Sequence, residues 1–423
     1  MAPPWSPPEL NDDLTEEILL RVAPDKPAHL SRASLVCKRW HRIISDPGFL
    51  RRYRAFHGRA PLLGFFYNLN FPAPFSDMVF DFPSPSSRFV ATTASSPLLH
   101  AAHDDDGDRR VSWALDCRHG RVLFEKADSR GLAVWDPIAD DWTDLPPPGI
   151  QYASYSAAVL CDVAGCADHR DCRGGRFLVV CIGCDVMSPT ETAYACVYSS
   201  EDRAGQVPVS DGSGRRCCSF DGMRPALIGD GIYCAVRGGY YILKYDLVER
   251  RFDWINMPNR FGEVSLYLDR RNPVLMQNED GSLGLAGMRG SRLYLWSRRW
   301  NNNPEEGDDA GWVQRRVVKL RKLLPLDIKY FIKANVIGFA EGVGVFFIST
   351  NAGVFTLDLK SRRVMKVSRH PGKKYRNVVP FISFFTPGMC YDTGFVIPFR
   401  FCFDSFASIH ACVLECVKVR GTY

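Results

Sequence analysis

A recurring spacing of Gly and Asp narrows the folds open to this chain. Gly120, Gly231, Gly281 and Gly342 each open a run of apolar and β-branched residues, and Asp136, Asp246, Trp296 and Asp358 close the next run 15 or 16 residues later. The unit is clearest at 335–367, where Val336–Phe339, Val343–Ser349, Val354–Asp358 and Val364–Val367 alternate with turn residues, which predicts a four-stranded antiparallel meander. Successive units lie about 50–60 residues apart. The longer interval from Gly120 to Gly231 leaves room for one less regular unit, with strands at Phe177–Ile182 and Ala193–Tyr198. Four strands per unit at this period predict a β-propeller. Each sheet is apolar on both faces, so it must stack against neighbours, and closing the ring removes exposed edges. Five interior units can be counted. A sixth is expected to be shared by the two ends, with Leu62–Phe66 joining strands at Phe395–Phe403 and Ile409–Val419. The structural alternative is a β-sandwich.

Composition supports a folded, finely turned chain. Hydrophobic residues make up 46% of the 423 residues, enough for a sizeable core, and 34 Gly with 28 Pro favour short strands and turns over long helices. The first residues do not read as a secretory signal, and no stretch of about 18 apolar residues suggests a membrane span. The expectation is therefore a cytoplasmic or nuclear protein whose 15 cysteines are mostly small buried hydrophobes and not a disulfide framework.

Residues 10–57 have a different texture. Leu14, Ile18, Leu19 and Val22 recur at helical spacing after a capping-box-like Asp13 and Glu16, and Pro24 and Pro27 end that helix. A second helix is predicted over Ala28–Ser45, stopped by Asp46-Pro47-Gly48, and a third from Phe49, Leu50, Tyr53 and Phe56. Three short helices can hardly bury this much Leu, Ile and Trp alone. They either cap the following domain or hold an amphipathic face for a partner's helices.

Leu10, Leu14, Glu17-Ile18-Leu19, Leu30, Arg32-Ala33, Val36-Cys37-Lys38-Arg39-Trp40, Ile43-Ile44, Asp46-Pro47 and Phe49 together resemble the F-box, the motif that docks substrate receptors on the Skp1 adaptor of cullin-RING ubiquitin ligases. The specific part is Val36 to Trp40 and its distance from Glu17-Ile18-Leu19. Asn11 stands where the family usually has Pro, whose preset φ would favour helix entry. The following half is similar to the F-box-associated propeller of plant F-box proteins, through Asp116-Cys-Arg-His-Gly120-Arg-Val-Leu-Phe124, Val134-Trp-Asp-Pro137 with Trp142 and Leu145-Pro146, and Tyr245-Asp246 with Trp254. The resemblance implies an F-box domain over 8–57 and a propeller over 58–423. It also implies Skp1 docking through Leu10, Leu14, Ile18, Leu19, Leu30, Leu35, Val36, Cys37, Trp40, Ile43 and Ile44. Skp1 would in turn bring a cullin and a RING subunit, and the propeller would hold a protein substrate for ubiquitination. The alternatives are a Skp1-binding protein acting outside a ligase, and a propeller lectin or enzyme carrying an F-box.

No acid/base or nucleophile constellation is visible, so no catalytic residue and no cofactor is expected. Cys161, Cys166, His169 and Cys172 crowd together, but their spacing lacks the paired C-x-x-C knuckles of common zinc sites and they fall in an inter-strand loop, so the sequence assigns no metal there. Cys181-Ile-Gly-Cys184 has redox spacing yet lies in an apolar strand, where core cysteines are expected. The net charge of +6 does not call for nucleic acid. From Trp312 to Arg376, however, 15 Lys and Arg face 3 Asp and Glu. That makes one sector of the ring basic and nominates Arg362, Arg363, Lys366, Lys373 and Lys374 as a surface for an acidic or phosphorylated protein.

Overall fold

A computed structural model describes residues 10–68, 87–92, 111–126, 131–139, 141–146, 152–164, 166, 169, 172, 174–185, 192–201, 208–212, 220, 223–236, 241–258, 273–299, 311–324, 327, 329, 334–367 and 377–385. Four helices come first: α1 (Asp12–Leu20), α2 (Pro27–Ser34), α3 (Lys38–Ser45) and α4 (Pro47–His57). The expected second helix is therefore two. Leu35 closes α2, and Cys37 is extended (φ −159°, ψ 162°) and caps α3, its Sγ accepting from the Trp40 N–H. The start of α1 also differs from the expectation. Its N-cap is Asn11, not Asp13, and Asn11 Oδ1 accepts from the Leu14 N–H at 2.8 Å. A capping side chain thus stabilises the helix entry where the motif usually has Pro. Pro27 does not end a helix. It begins α2, at a position where its missing N–H leaves nothing unsatisfied.

Six sheets follow. The strands β1 (Leu62–Asn68) and β2 (Ser87–Ala91) belong to the closing blade. The first interior blade holds β3 (Val111–Arg118), β4 (Arg121–Lys126), β5 (Leu132–Asp136) and β6 (Asp141–Asp144). The second holds β7 (Tyr152–Cys161), β8 (Phe177–Asp185), β9 (Ala193–Ser199) and β10 (Val209–Ser210). In the third are β11 (Ala226–Ile228), β12 (Gly231–Ala235), β13 (Tyr241–Asp246) and β14 (Arg251–Asn256). The fourth comprises β15 (Val274–Gln277), β16 (Leu283–Arg289), β17 (Arg292–Arg298) and β18 (Trp312–Lys319). The fifth comprises β19 (Asn335–Ala340), β20 (Val345–Thr350), β21 (Gly353–Asp358) and β22 (Val364–Lys366). All five are antiparallel meanders, and β23 (Val378–Ile382) returns to pair with β1 in the order β2-β1-β23.

Strands from both ends of the described chain share the sixth blade, as expected. Leu62–Asn68 pairs with Val378–Ile382, while 395–403 and 409–419 lie outside the described residues. Pro380 sits in this closing strand, which is at the edge of its sheet among the described residues, where a missing ladder donor is tolerated.

The repeat has a physical cause. In the first interior blade, His119 (φ +54°) and Gly120 (φ +78°) form a two-residue hairpin of the type I′ pattern, and Gly281 (φ +79°) and Gly342 (φ +79°) fill the equivalent left-handed turns. The third blade places this conformation at Gly229 (φ +54°), just before Gly231. The repeated Asp folds the later hairpin: Asp136 Oδ1 accepts from Ile138 and Ala139 N–H, Asp246 Oδ1 from Val248 and Glu249, and Asp358 Oδ1 from Lys360 and Ser361. Where Trp296 replaces it, β17 and β18 are separated by 299–311 in place of a tight turn.

Six apolar clusters lie between the blades, one at each neighbouring pair, and so close the ring. This arrangement excludes the sandwich. Alternation along β8 shows how. Phe177, Val179 and Cys181 face the first interior blade, while Val180, Ile182 and Cys184 face the third. Cys181 and Cys184 therefore point to opposite sides of their sheet as buried packing residues, and both are free thiols. At the closing interface, Phe66 packs edge-on to Phe124 at 5.5 Å and to Phe381 at 6.5 Å. Gly338 permits the fifth blade to approach the closing strand, because a Cβ there would meet the Val378 carbonyl at 2.9 Å. No helix among the described residues is long and apolar enough to cross a membrane.

Candidate functional site

The helical module has a dry side and a wet end. Leu19, Leu20, Leu30, Ile44, Phe49 and Tyr53 form its core together with Phe384, just beyond the closing strand, and the Tyr53 and Phe384 rings meet edge to face at 6.2 Å. The helices are thus seated on the propeller at its sixth blade. The sequence did not single out Phe384, and a lone Phe-Phe pair after a strand carries no signal for such a role. Three of the nominated adaptor residues, Leu19, Leu30 and Ile44, lie inside this core and cannot present themselves to a partner directly. Ile18, Trp40 and Ile43 are half-buried.

Leu10, Leu14, Leu35 and Val36, by contrast, are 44–50% exposed, and Cys37 is exposed beside them in sequence. The starts of α1 and α3 are tied by ion pairs from Asp12 to Arg39 and Arg42. That tie brings Leu10 and Leu14 to the end of the module where Leu35 and Val36 lead into α3.

At the propeller's centre is a charged network that the sequence did not single out. Asp116 on β3 is fully buried and accepts from Arg118 Nε at 3.1 Å, from Arg224 Nε, and from the Val159 and Cys117 N–H groups at 3.0 and 2.8 Å. Arg118 and Arg224 both reach Glu341, at 2.9 and 3.3 Å, and Arg118 also donates to the Pro225 carbonyl at 2.7 Å. Residues from the first and fifth interior blades, and from the segment leading into the third, are thus cross-linked. Burial opposes ionisation of Asp116, but the Arg118 and Arg224 guanidiniums hold its carboxyl below the usual range. With its acids and bases paired to one another, this arrangement is a structural clamp and not a general acid/base site. Its sequence signal was a pair of charges inside the apolar run Trp113–Arg118.

The nominated basic residues are partly assembled. Arg362 (φ +56°) and Arg363 lie exposed in the hairpin folded by Asp358, and Lys366 projects from β22 with its ammonium 5.9 Å from the Phe355 ring centroid. Lys373 and Lys374 lie outside the described residues. The cysteine and histidine cluster is also brought together. The Sγ atoms of Cys161, Cys166 and Cys172 and a ring nitrogen of His169 all lie within 4.8 Å of one another.

Comparison with known proteins agrees with this architecture. Residues 12–57 match the F-box-like family, and residues 113–389 match the family described as F-box protein AT5G49610-like, beta-propeller. The fold and its N-terminal module define an F-box protein with a six-bladed propeller. The propeller family covers well over half of the chain, and this protein belongs to it. Two Arabidopsis thaliana proteins are similar along most of their length. F-box protein At5g03970 is 22% identical over 402 residues, covering 88% of this chain and 87% of that protein. Putative F-box/kelch-repeat protein At3g17570 is 23% identical over 319 residues, 74% of each. The pairing of F-box and propeller is the organisation of an F-box substrate receptor.

Proposed function

We propose that the chain is the substrate-recognition subunit of a Skp1–cullin–F-box ubiquitin ligase, working in the cytoplasm or nucleus. The observation that carries this reading is the apolar end of the helical module. Leu10, Leu14, Leu35 and Val36 stay in water on a module that has already buried its other side on Phe384. Exposed large apolar residues grouped this way mark a surface awaiting a partner. An F-box-like segment supplies the identity of that partner, a Skp1-like adaptor, which in turn recruits the cullin and RING subunits. The chain itself supplies proximity: it raises the effective concentration of substrate lysines near a thioester carried by another protein, so no catalytic residue of its own is required.

On the propeller, Arg362, Arg363 and Lys366, with Lys373 and Lys374 nearby in sequence, are the candidate contacts for an acidic or phosphorylated protein. The test is co-purification of the full chain with a Skp1-like adaptor, followed by affinity capture under proteasome inhibition. Adaptor capture, lost on deleting residues 10–57, together with a partner whose turnover depends on that segment, is the expected result. Adaptor capture without any cullin-dependent turnover would instead favour a role outside a ligase.

A further inference from the structure

The connection from first to second strand is a two-residue turn in the first interior blade, at His119 and Gly120, and in the third, at Gly229 and Asp230. In the second blade residues 162–176 run between β7 and β8 instead. A connection of that length calls for something to hold it in place. Among its described residues the Asp162 N–H donates to the Arg176 carbonyl at 3.1 Å and joins the loop's ends, and two turns follow inside: Cys166 N–H to the Val163 carbonyl and Gly175 N–H to the Cys172 carbonyl, both at 3.1 Å. They curl both halves of the loop inward.

Four metal-binding side chains converge at the middle of that curl. His169 adopts a left-handed backbone (φ +53°), and its Nδ1 lies 3.5 Å from Cys166 Sγ and 3.9 Å from Cys172 Sγ. Cys161, the last residue of β7, completes the group, with all four ligand atoms inside 4.8 Å. A tetrahedral zinc ion with Zn–S near 2.3 Å and Zn–N near 2.0 Å sets its ligand atoms about 3.5–3.8 Å apart. The two His169 separations, 3.5 and 3.9 Å, match that spacing, and the whole group, inside 4.8 Å, is within about an ångström of it. Any disulfide pairing would leave one of the three thiols over. Three sulfurs and an imidazole form the donor set that selects zinc over calcium or magnesium. The surroundings suit a bound thiolate as well. The Val163 N–H donates to Cys161 Sγ at 3.4 Å, as backbone groups do around metal-bound sulfur. The His119 ring lies over His169 with centroids 4.2 Å apart, and Arg121 donates to the Gly175 carbonyl, so the loop rests on the neighbouring blade.

We propose that Cys161, Cys166, His169 and Cys172 form a Cys3His zinc site that pins the β7–β8 loop against the His119 turn of the adjacent blade. On binding, three thiols lose their protons, His169 offers its Nδ1 lone pair, and the ion with three thiolates leaves a net charge of −1. The role is structural, because all four positions are filled by protein and none remains for a substrate.

The test is metal analysis of the full chain purified without a histidine tag and dialysed against a weak chelator. One zinc per chain is expected, falling at least tenfold in Cys166→Ser and in the Cys166→Ser/Cys172→Ser double variant, and unchanged in Cys37→Ser. Cobalt supplied in place of zinc should give the intense visible bands of tetrahedral thiolate coordination in the parent chain and not in the double variant. Because Cys166 is half-buried, its Ser variant should retain the far-UV spectrum of the ring while tryptic cleavage within 162–176 rises severalfold. A folded parent chain with less than a tenth of a zinc and no tetrahedral cobalt spectrum would overturn the site. So would a disulfide among these cysteines by mass spectrometry, or zinc retained by the double variant.

Discussion

The helical module and the propeller handle the same two materials, apolar surface and charge, in opposite ways. In the propeller most apolar residues are sealed between blades, and one charged network is drawn into the centre, where Asp116 is 0% and the Arg118 side chain 8% exposed. In the helices the charges pair at the surface, with the Arg39 and Asp12 side chains 35% and 54% exposed, while Leu10, Leu14, Leu35 and Val36 remain in water. The difference follows from closure. A ring of sheets can satisfy both faces of every blade internally, whereas four short helices seated on one propeller edge cannot cover their far end. One region covers most of its apolar surface internally, and the other leaves a group of large apolar side chains in water.

The largest test of that contrast is removal of one carboxylate from each region. Asp116→Ala leaves two guanidiniums buried with only Glu341 between them, and breaking a buried network in this way costs about 3–5 kcal/mol. Asp12→Ala, which removes two exposed ion pairs, should cost within about 1 kcal/mol. Urea unfolding of the two full-length variants measures both, and equal losses would break the comparison. The pH dependence carries the same sign. Since Asp116 is held below its ordinary value in the folded ring, its contribution is fully present above the unfolded carboxylate range near pH 4 and is lost as pH falls through the lower folded value. Thermal midpoints of the parent should fall on that acid limb, and Asp116→Asn should flatten the part of the fall that this group causes.

A smaller effect, in binding and not in folding, is expected at the wet end of the helices. Leu35→Asp and Val36→Asp each place a charge where an adaptor would bury an apolar side chain, and central residues of such contacts carry about 2 kcal/mol or more. Adaptor affinity should fall at least tenfold by calorimetry, with the unfolding midpoint unmoved, because both side chains already stand in solvent. Leu30→Ala should show the reverse pattern, a stability loss of about 2–5 kcal/mol for a residue 1% exposed, with affinity altered only through folding.

These contrasts also mark what was legible in the chain before its fold was known. The blades could be read because their turns need particular residues: Gly at left-handed positions and Asp to bind two backbone N–H groups are chemical requirements visible in one dimension. The helix count came out one short because Leu35, Val36 and Cys37 continue an apolar rhythm, and a break capped by a sulfur does not look like a cap. The strand that pairs with Leu62–Asn68 is not legible, because Pro380 disguises Val378–Ile382 and is tolerated there by an edge position, among the described strands, that sequence does not specify. The clamp of Asp116, Arg118, Arg224 and Glu341 joins residues from three parts of the ring, and nothing local ties Arg224 to Asp116. The nominated adaptor residues all lie on the helical module, but which of them face inward is decided by packing within the helices and on Phe384.

The smallest effect separates burial from membership of the propeller. Asp358 belongs to the ring yet works at its surface, where its carboxylate accepts from the Lys360 and Ser361 N–H groups and the Ser361 hydroxyl at 2.6 Å. The Ser361 hydroxyl above all, helped by these N–H groups, pulls its carboxyl below the usual range against the opposing effect of burial. Asp358→Ala removes a turn lock of the kind that helix caps provide, worth about 1 kcal/mol, and water can reach the N–H groups left behind. Its loss should therefore resemble that of Asp12→Ala far more than that of Asp116→Ala. Asp358→Asn, which keeps an acceptor oxygen in the same place, should recover most of it. A loss at Asp358 as large as that at Asp116 would mean that every charged residue of the ring is stabilising whatever its exposure, and the contrast between the two regions would then rest on architecture instead of on desolvation.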